Sequence, residues 1–222
     1  MPNKDDRERS KEYIKINGFS HPFPILQILA ISLMLVIFLL GISIIPSIIE
    51  IEAPILDLIM GFDNYFILAI ITDSLLLMLS DPADPRLIDQ DYYRKGEKLQ
   101  FCQDCSAQVD VLSYHCKVCC RCVEEFDHHC VFLNNCIGRK NYKQFFRLLL
   151  SLITYTSTNI GMGIWLFFNL ENVFRWIALS YSILSFVVFA EILSLTIFHC
   201  YISCFLYKTT LQVIKGDKIN IR

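Results

Sequence analysis

The sequence predicts an α-helical membrane protein with four transmembrane helices and a cytosolic cysteine-rich, two-zinc domain between the second and third. Three observations predict it. Over half of the 222 residues (54%) are hydrophobic, and they fall in blocks. Eight of the ten cysteines lie between Cys102 and Cys136, interleaved with histidines. Lysine and arginine gather outside the blocks rather than within them.

The first block, residues 25–45, is 21 residues without a charge, and Pro46 follows it. As a helix it runs about 31 Å, the hydrocarbon thickness of a bilayer. The second, residues 55–79, carries Asp57, Asp63 and Asp73. The third, residues 148–168, is again uncharged, and the fourth, residues 176–206, carries Glu191. Carboxylates inside spans cost roughly 2.5–3.5 kcal/mol each on insertion scales, so each needs a polar contact or a functional reason. Five Lys/Arg precede the first block (Lys4, Arg7, Arg9, Lys11, Lys15), ten fall in residues 81–147 and four in 208–222, while the other connections hold only Arg175. The positive-inside rule places both termini and the cysteine-rich segment in the cytosol, where thiols stay reduced. No removable signal peptide is evident. The expected division is an N-terminal cytosolic arm (1–24), helices one and two (25–80), a linker and zinc domain (81–147), helices three and four (148–206) and a short tail (207–222). Asp81-Pro82 and Asp84-Pro85 are expected to end helix two.

The cysteine-rich segment repeats itself. Cys102, Cys105, His115 and Cys122 are separated by steps of 3, 10 and 7, and so are Cys116, Cys119, His129 and Cys136, displaced by 14 residues. Each quartet opens with a Cys-x2-Cys turn and supplies three thiolates and one imidazole, a tetrahedral set suited to zinc with no position left open. The two ions are therefore expected to be structural, and to supply much of the folding energy of a segment with little apolar core. Cys120 and Cys130 stand outside both quartets. Cys120 reads as a spare thiol on a turn. Cys130 follows Asp127-His128 and lies between ligands His129 and Cys136. A thiolate is a nucleophile, an imidazole can take its proton, and a carboxylate can orient that imidazole. Asp127, His128 and Cys130 thus carry the parts of an activated thiol at a membrane surface, where a fatty acyl thioester presents itself half in lipid and half in water. Cys200 and Cys204, four residues apart near the cytosolic end of block four, read as helix packing, and His199 as a packed or interfacial histidine.

These residues give the chain a resemblance to the DHHC-type zinc-finger protein S-acyltransferases (palmitoyltransferases). It rests on "CQDC", "HCKVCCRC", "DHHC" and "NNCIGRKNY" in that order, with "DPADP" after the second block and "TTLQ" after the fourth. The resemblance implies that Cys130 takes an acyl group from acyl-CoA, palmitoyl-CoA among them, and passes it to a cysteine of another protein. It implies that His128 serves as base, that Asp127 orients it, and that two structural zinc ions and an acyl-CoA co-substrate are required. The chain differs from the family in Val131-Phe132 after Cys130, in Gln212 at a glutamate position, and in "SAQVDVLSY", which lacks a basic residue. Arg139, Lys140 and Lys143 are the candidate phosphate contacts for CoA, or contacts to anionic lipid headgroups. The expected partners are acyl-CoA, substrate proteins with cytosolic cysteines, and membrane lipid, and the expected location is the endoplasmic reticulum or Golgi. Five Lys/Arg against five Asp/Glu between residues 99 and 143 leave no footprint for nucleic acid. The alternative function is a membrane adaptor built on the same scaffold with little turnover.

Overall fold

The computed structural model describes residues 14–48, 53–89, 91–92, 96 and 98–215, with side chains of 41–60 excepted. Lys4, Arg7, Arg9 and Lys11 of the arm, the Asp57 side chain, and the tail beyond Lys215 lie outside the described residues. Four long helices are α1 (Ile25–Ile48), α2 (Ala53–Leu79), α3 (Tyr142–Asn169) and α4 (Asn172–Tyr201), the last continued by a π turn over Ile202–Leu206. Six short strands and a final helix, α5 (Thr210–Lys215), complete the described elements together with a 3-10 turn at Pro85–Leu87. The chain divides into two compact units: one holds residues up to Gln27, Leu75–Phe145 and from His199 onward, and the other Ile28–Ser74 and Phe146–Phe198.

Among the described residues two helical stretches are long and apolar enough to cross a membrane, Gly61–Leu79 and Asn172–Leu206, while Ile25–Leu40 is apolar but shorter. The third expected span lies within α3. Tyr155, Thr156, Thr158 and Asn159 interrupt its apolar face, which is why it falls short by composition. Exposed Leu68, Ile71, Ile183, Phe186 and Ile197 line the apolar helices. Such exposed surface indicates association with a membrane.

In the helical unit, Ile37, Tyr155, Leu166, Ala178, Tyr181 and Val188 are buried together, with Phe66 and Ile70 packed against them, so all four helices contribute to one core. Helices α3 and α4 meet closely at Gly163, where a Cβ would sit 2.7 Å from Ser182 Cβ and 2.9 Å from the Ala178 carbonyl. Two acidic residues in this unit find partners. Arg147 makes a bidentate ion pair with Asp73, and the Thr158 hydroxyl donates to Asp63 Oδ1 at 2.8 Å. Glu191 is exposed.

The other unit is built from three antiparallel hairpins. Strands β1 (Leu99–Cys102) and β2 (Ala107–Asp110) form the first, β3 (Tyr114–Cys116) and β4 (Arg121–Val123) the second, β5 (His128–Cys130) and β6 (Asn135–Ile137) the third. Their closing pairs are Cys102 with Ala107, Cys116 with Arg121, and Cys130 with Asn135, each pair displaced from the last by 14 residues. Each turn passes through a left-handed residue at the same place: Ser106, Cys120 and Asn134, with φ of 51°, 55° and 51°. The sequence repeat is therefore a repeat of hairpins.

Three segments brace this stack. Asp84, fully buried, accepts from the Asp110 amide and the Ser113 hydroxyl, and its own amide donates to the Cys122 carbonyl. Asp81 pairs with Arg121 at 2.7 Å. Asn135 Nδ2 donates to the Leu77 and Ser80 carbonyls, both at 2.8 Å, satisfying carbonyls freed at the end of α2. The described end of the N-terminal arm is largely exposed but is anchored at Lys15. Lys15 is buried, and its ammonium donates to Asn134 Oδ1 at 2.9 Å and to the Pro22 carbonyl. Those oxygens replace the water that the charge loses.

Candidate functional site

The hairpin register assembles the ligands. His115 lies opposite Cys122 and His129 opposite Cys136, so each histidine–cysteine pair projects from adjacent strands. The turn of the first hairpin brings Cys102 and Cys105 to the pair on the second, and the turn of the second brings Cys116 and Cys119 to the pair on the third. Within each quartet all four ligand atoms lie within 4.8 Å of one another. His115 Nδ1 is 3.2–4.0 Å from its three sulfurs, and His129 Nδ1 is 3.4–3.9 Å from its own. Sulfurs bound at about 2.3 Å in a tetrahedron stand about 3.8 Å apart, and the Cys105–Cys122 separation is 3.7 Å. The residues fit two zinc ions bound through imidazole Nδ1. Hydrogen bonding with Cys122 lowers the Cys105 thiol against its burial, and all ten cysteines are free of disulfides. Zinc at these positions would cross-link hairpin to hairpin and leave no coordination site for chemistry.

Cys130 belongs to neither quartet. It is buried, at the end of β5, and its thiol interacts electrostatically with the His128 ring. The other side of that imidazole is taken: His128 Nδ1 lies 2.7 Å from Asp127 Oδ2, which leaves Nε2 for the thiol. Asp127 is in turn held by the start of α5. The Thr210 amide donates to its Oδ1 at 2.7 Å and the Thr210 hydroxyl to its Oδ2 at 2.8 Å. Burial pushes the Asp127 carboxyl up, but the bonds from His128 and Thr210 outweigh it and hold it below the usual range. Burial depresses His128, and the bonds to Asp127 and Cys130 reverse that and raise it to about 9. The ring is thereby stabilised as an imidazolium, the form that favours a thiolate beside it.

The Thr210 contact depends on how α5 begins. Thr209 Oγ1 accepts from the Gln212 amide at 3.3 Å, and Gln212 Oε1 accepts from the Thr209 amide at 2.8 Å. This reciprocal capping box needs only an oxygen acceptor at the fourth position, so glutamine serves as well as glutamate. Leu211 packs against the buried cluster of Cys116, Cys119, Val123, Phe126 and Cys136, which places the helix against the second quartet.

A cleft of about 960 Å3 opens beside Asp127, with Arg139, Lys143, Lys208 and Lys215 on its wall together with Tyr142 and Tyr207. The three cations expected from sequence divide here. Lys143 is exposed on the cleft. Arg139 also lines it, while pairing with Glu124 and Glu125 at 3.1 and 3.2 Å. Lys140 instead donates to the Asp81 carbonyl at 2.8 Å. Lys208 and Lys215 were missed by sequence reasoning, which read them only as part of a basic tail. Thr210 was quoted within a motif without a role. The 14-residue displacement, applied once more, reaches Cys130 from Cys102 and Cys116 and would have marked it as the first cysteine of a third turn.

The hairpins form a scaffold with two zinc-compatible quartets and, outside both, a buried thiol close to an Asp–His pair. The chain belongs to the DHHC palmitoyltransferase family, whose model matches residues 95–217. It is 41% identical over 76 residues to "Probable protein S-acyltransferase 16" of Arabidopsis thaliana, covering 34% of this chain and 27% of that protein. It is 44% identical over 61 residues to "Palmitoyltransferase erf2" of Emericella nidulans, covering 28% of this chain and 10% of that protein. With "Palmitoyltransferase ZDHHC5-A" of Danio rerio it shares 35% over 106 residues, 46% of this chain and 14% of the relative. The chain thus spans 27% or less of the length of these curated relatives.

Proposed function

We propose that this protein is a protein S-acyltransferase that moves a long-chain fatty acyl group from acyl-CoA, palmitoyl-CoA foremost, through a thioester on Cys130 to a cysteine of a cytosolic or membrane protein. The observation that carries this reading is the Asp127–His128–Cys130 line, in which the one cysteine of the third hairpin turn escapes zinc and meets an imidazole backed by a buried carboxylate. His128 takes the Cys130 proton, and the thiolate attacks the thioester carbonyl of acyl-CoA. The carbon–sulfur bond to CoA breaks, and the departing thiolate receives the proton from His128. In the second half the thiol of the substrate protein gives its proton to His128 and attacks the Cys130 thioester, and Cys130 leaves as the thiolate. Each half exchanges one thioester for another, so positioning and a good nucleophile suffice.

Four spans, residues 25–45, 55–79, 148–168 and 176–206, would carry the acyl chain between them, with both termini and the zinc hairpins cytosolic. The distribution of Lys and Arg supports this orientation, and an endoplasmic reticulum or Golgi membrane is the expected location. The phosphates of CoA are assigned to the cleft beside Asp127, with Arg139, Lys143, Lys208 and Lys215 as the cations on its wall. Lys140 takes no part in this seat.

The test is an acyl-adduct assay on purified protein. Palmitoyl-CoA should give a hydroxylamine-sensitive adduct on the wild type and none on Cys130→Ser, with two zinc ions per chain in both. An adduct that persists in Cys130→Ser overturns the assignment. If Cys130→Ala fully corrects the cellular defect caused by loss of the protein, the adaptor role is the relevant one.

A further inference from the structure

A third group of ligand-type side chains exists besides the two zinc quartets: Asp127, His128 and His199 bring their donor atoms within 4.8 Å of one another. A metal does not fit there. Both oxygens of Asp127 are already occupied, Oδ1 by the Thr210 amide and Oδ2 by the Thr210 hydroxyl and His128 Nδ1. His199 Nδ1 is engaged too, 3.1 Å from the Tyr142 hydroxyl. The group is a hydrogen-bonded cluster around one ring, and the question is what the buried His199, only 1% exposed, does in it.

The surroundings of His128 answer it. Asp127 holds the imidazole through a single bond at Nδ1, which restrains the ring but does not by itself lock it. Two other rings close off the remaining motion. Phe145 stands edge-on to His128, with centroids 5.3 Å apart and planes at 68°. His199 is 5.7 Å away at 44°. Phe145 and His199 are themselves edge-to-face at 5.2 Å and 72°, so the two walls support each other. His199 is oriented from behind by the Tyr142 hydroxyl, which also lies 2.6 Å from Ser203 Oγ. Tyr142 and Phe145 are three residues apart in α3, and His199 and Ser203 are four apart on α4 and its π turn. Each pair therefore lies on one helical face.

We infer that His199, oriented by Tyr142, is a positioning residue: with Phe145 it fixes the rotamer of His128 and through it the contact with the Cys130 thiol. The consequence for turnover rests on the acyl-transfer reading; the consequence for the thiol does not. A side chain whose own rotamer is locked by packing and hydrogen bonds is what holds a reacting group within a fraction of an ångström of its working geometry.

The test is the rate of iodoacetamide alkylation at Cys130 in the full chain, followed by mass spectrometry of the peptide that contains it, with zinc counted in parallel. His199→Ala is expected to slow alkylation about tenfold while both zinc ions stay bound. His199→Phe, which keeps the wall and drops the ring nitrogens, should recover the rate to within about threefold of wild type. Tyr142→Phe should fall between them. The inference is overturned if His199→Ala alkylates at the wild-type rate, or if His199→Phe is as slow as His199→Ala, since the wall would then not be what matters. Should His199→Ala lose zinc, Tyr142→Phe decides: slower alkylation with full zinc upholds the inference, and an unchanged rate defeats it. Alkylation needs no acyl donor. A protein that never accepts acyl from acyl-CoA therefore defeats the proposed function and leaves this test standing.

Discussion

Asp127 is the residue on which the site turns. It is 1% exposed and accepts three hydrogen bonds, two from Thr210 and one from His128. A buried carboxylate is tolerable only when its lone pairs are satisfied, and here the groups that satisfy it also orient the imidazole and fasten α5. Asp127→Asn keeps the shape but removes the charge and sets an amide N–H against one of the three donors. Formation of the Cys130 adduct from palmitoyl-CoA is expected to slow at least about 100-fold, the scale of a general base placed wrongly or in the wrong tautomer. Zinc content should stay at two per chain, because no ligand is touched. Rapid-quench measurement of the adduct checks this; a rate within threefold of wild type would mean that His128 needs no carboxylate.

At the scale of the element, the hairpin is the unit that repeats, and it shows how far the sequence could be read. Ligand spacing revealed two quartets because four ligand types recur in each. The third turn escaped notice because positions 143 and 150, where the next histidine and cysteine would stand, hold Lys143 and Leu150. The backbone nevertheless repeats a third time, to the left-handed residue at Asn134. Cys130 is thus a zinc-turn cysteine deprived of its zinc partners and given His128 instead. Cys120 occupies the same left-handed place in its own turn, where a non-glycine residue is strained by roughly 1–2 kcal/mol and asparagine is better tolerated. Cys120→Asn, copying Asn134, is expected to retain two zinc ions, full adduct formation and a melting temperature at or above wild type, by calorimetry. Helix α5 makes a different point. Six residues cannot sustain a helix alone, so its capping box matters. Gln212→Glu should leave the adduct rate within twofold. Gln212→Ala removes a cap contribution of about 1 kcal/mol and should slow the reaction about fivefold by loosening Thr210 from Asp127. Equal rates for the two variants would show that the cap does not reach the site.

Across the whole molecule, the long-range pairings were the least legible. Asp73 was visible as a carboxylate needing a reason, and Arg147 as one cation among ten in residues 81–147. Their bidentate pair joins positions 74 residues apart, and only tertiary structure brings them together. The interlocking of the zinc sites is likewise a property of the assembled chain. The second hairpin belongs to both sites, since its turn carries Cys116 and Cys119 and its strands carry His115 and Cys122. Loss of the first site loosens the first hairpin, which keeps its bond to Asp84, while the second remains tied through the other quartet and through Asp81 and Asp84. Loss of the second site detaches the third hairpin, with His128 and Cys130, from the second. Each structural zinc contributes on the order of 10–16 kcal/mol in comparable small sites, more than the bracing hydrogen bonds can replace. The expected order is therefore asymmetric. Cys102→Ser should keep one zinc per chain and a measurable fraction of adduct formation, whereas Cys136→Ser should abolish the adduct even where one zinc remains. Elemental analysis beside the adduct assay separates the outcomes. If Cys102→Ser lost both ions and all activity, the hairpins would fold as one indivisible unit, and the hairpin-by-hairpin transmission argued here would be wrong.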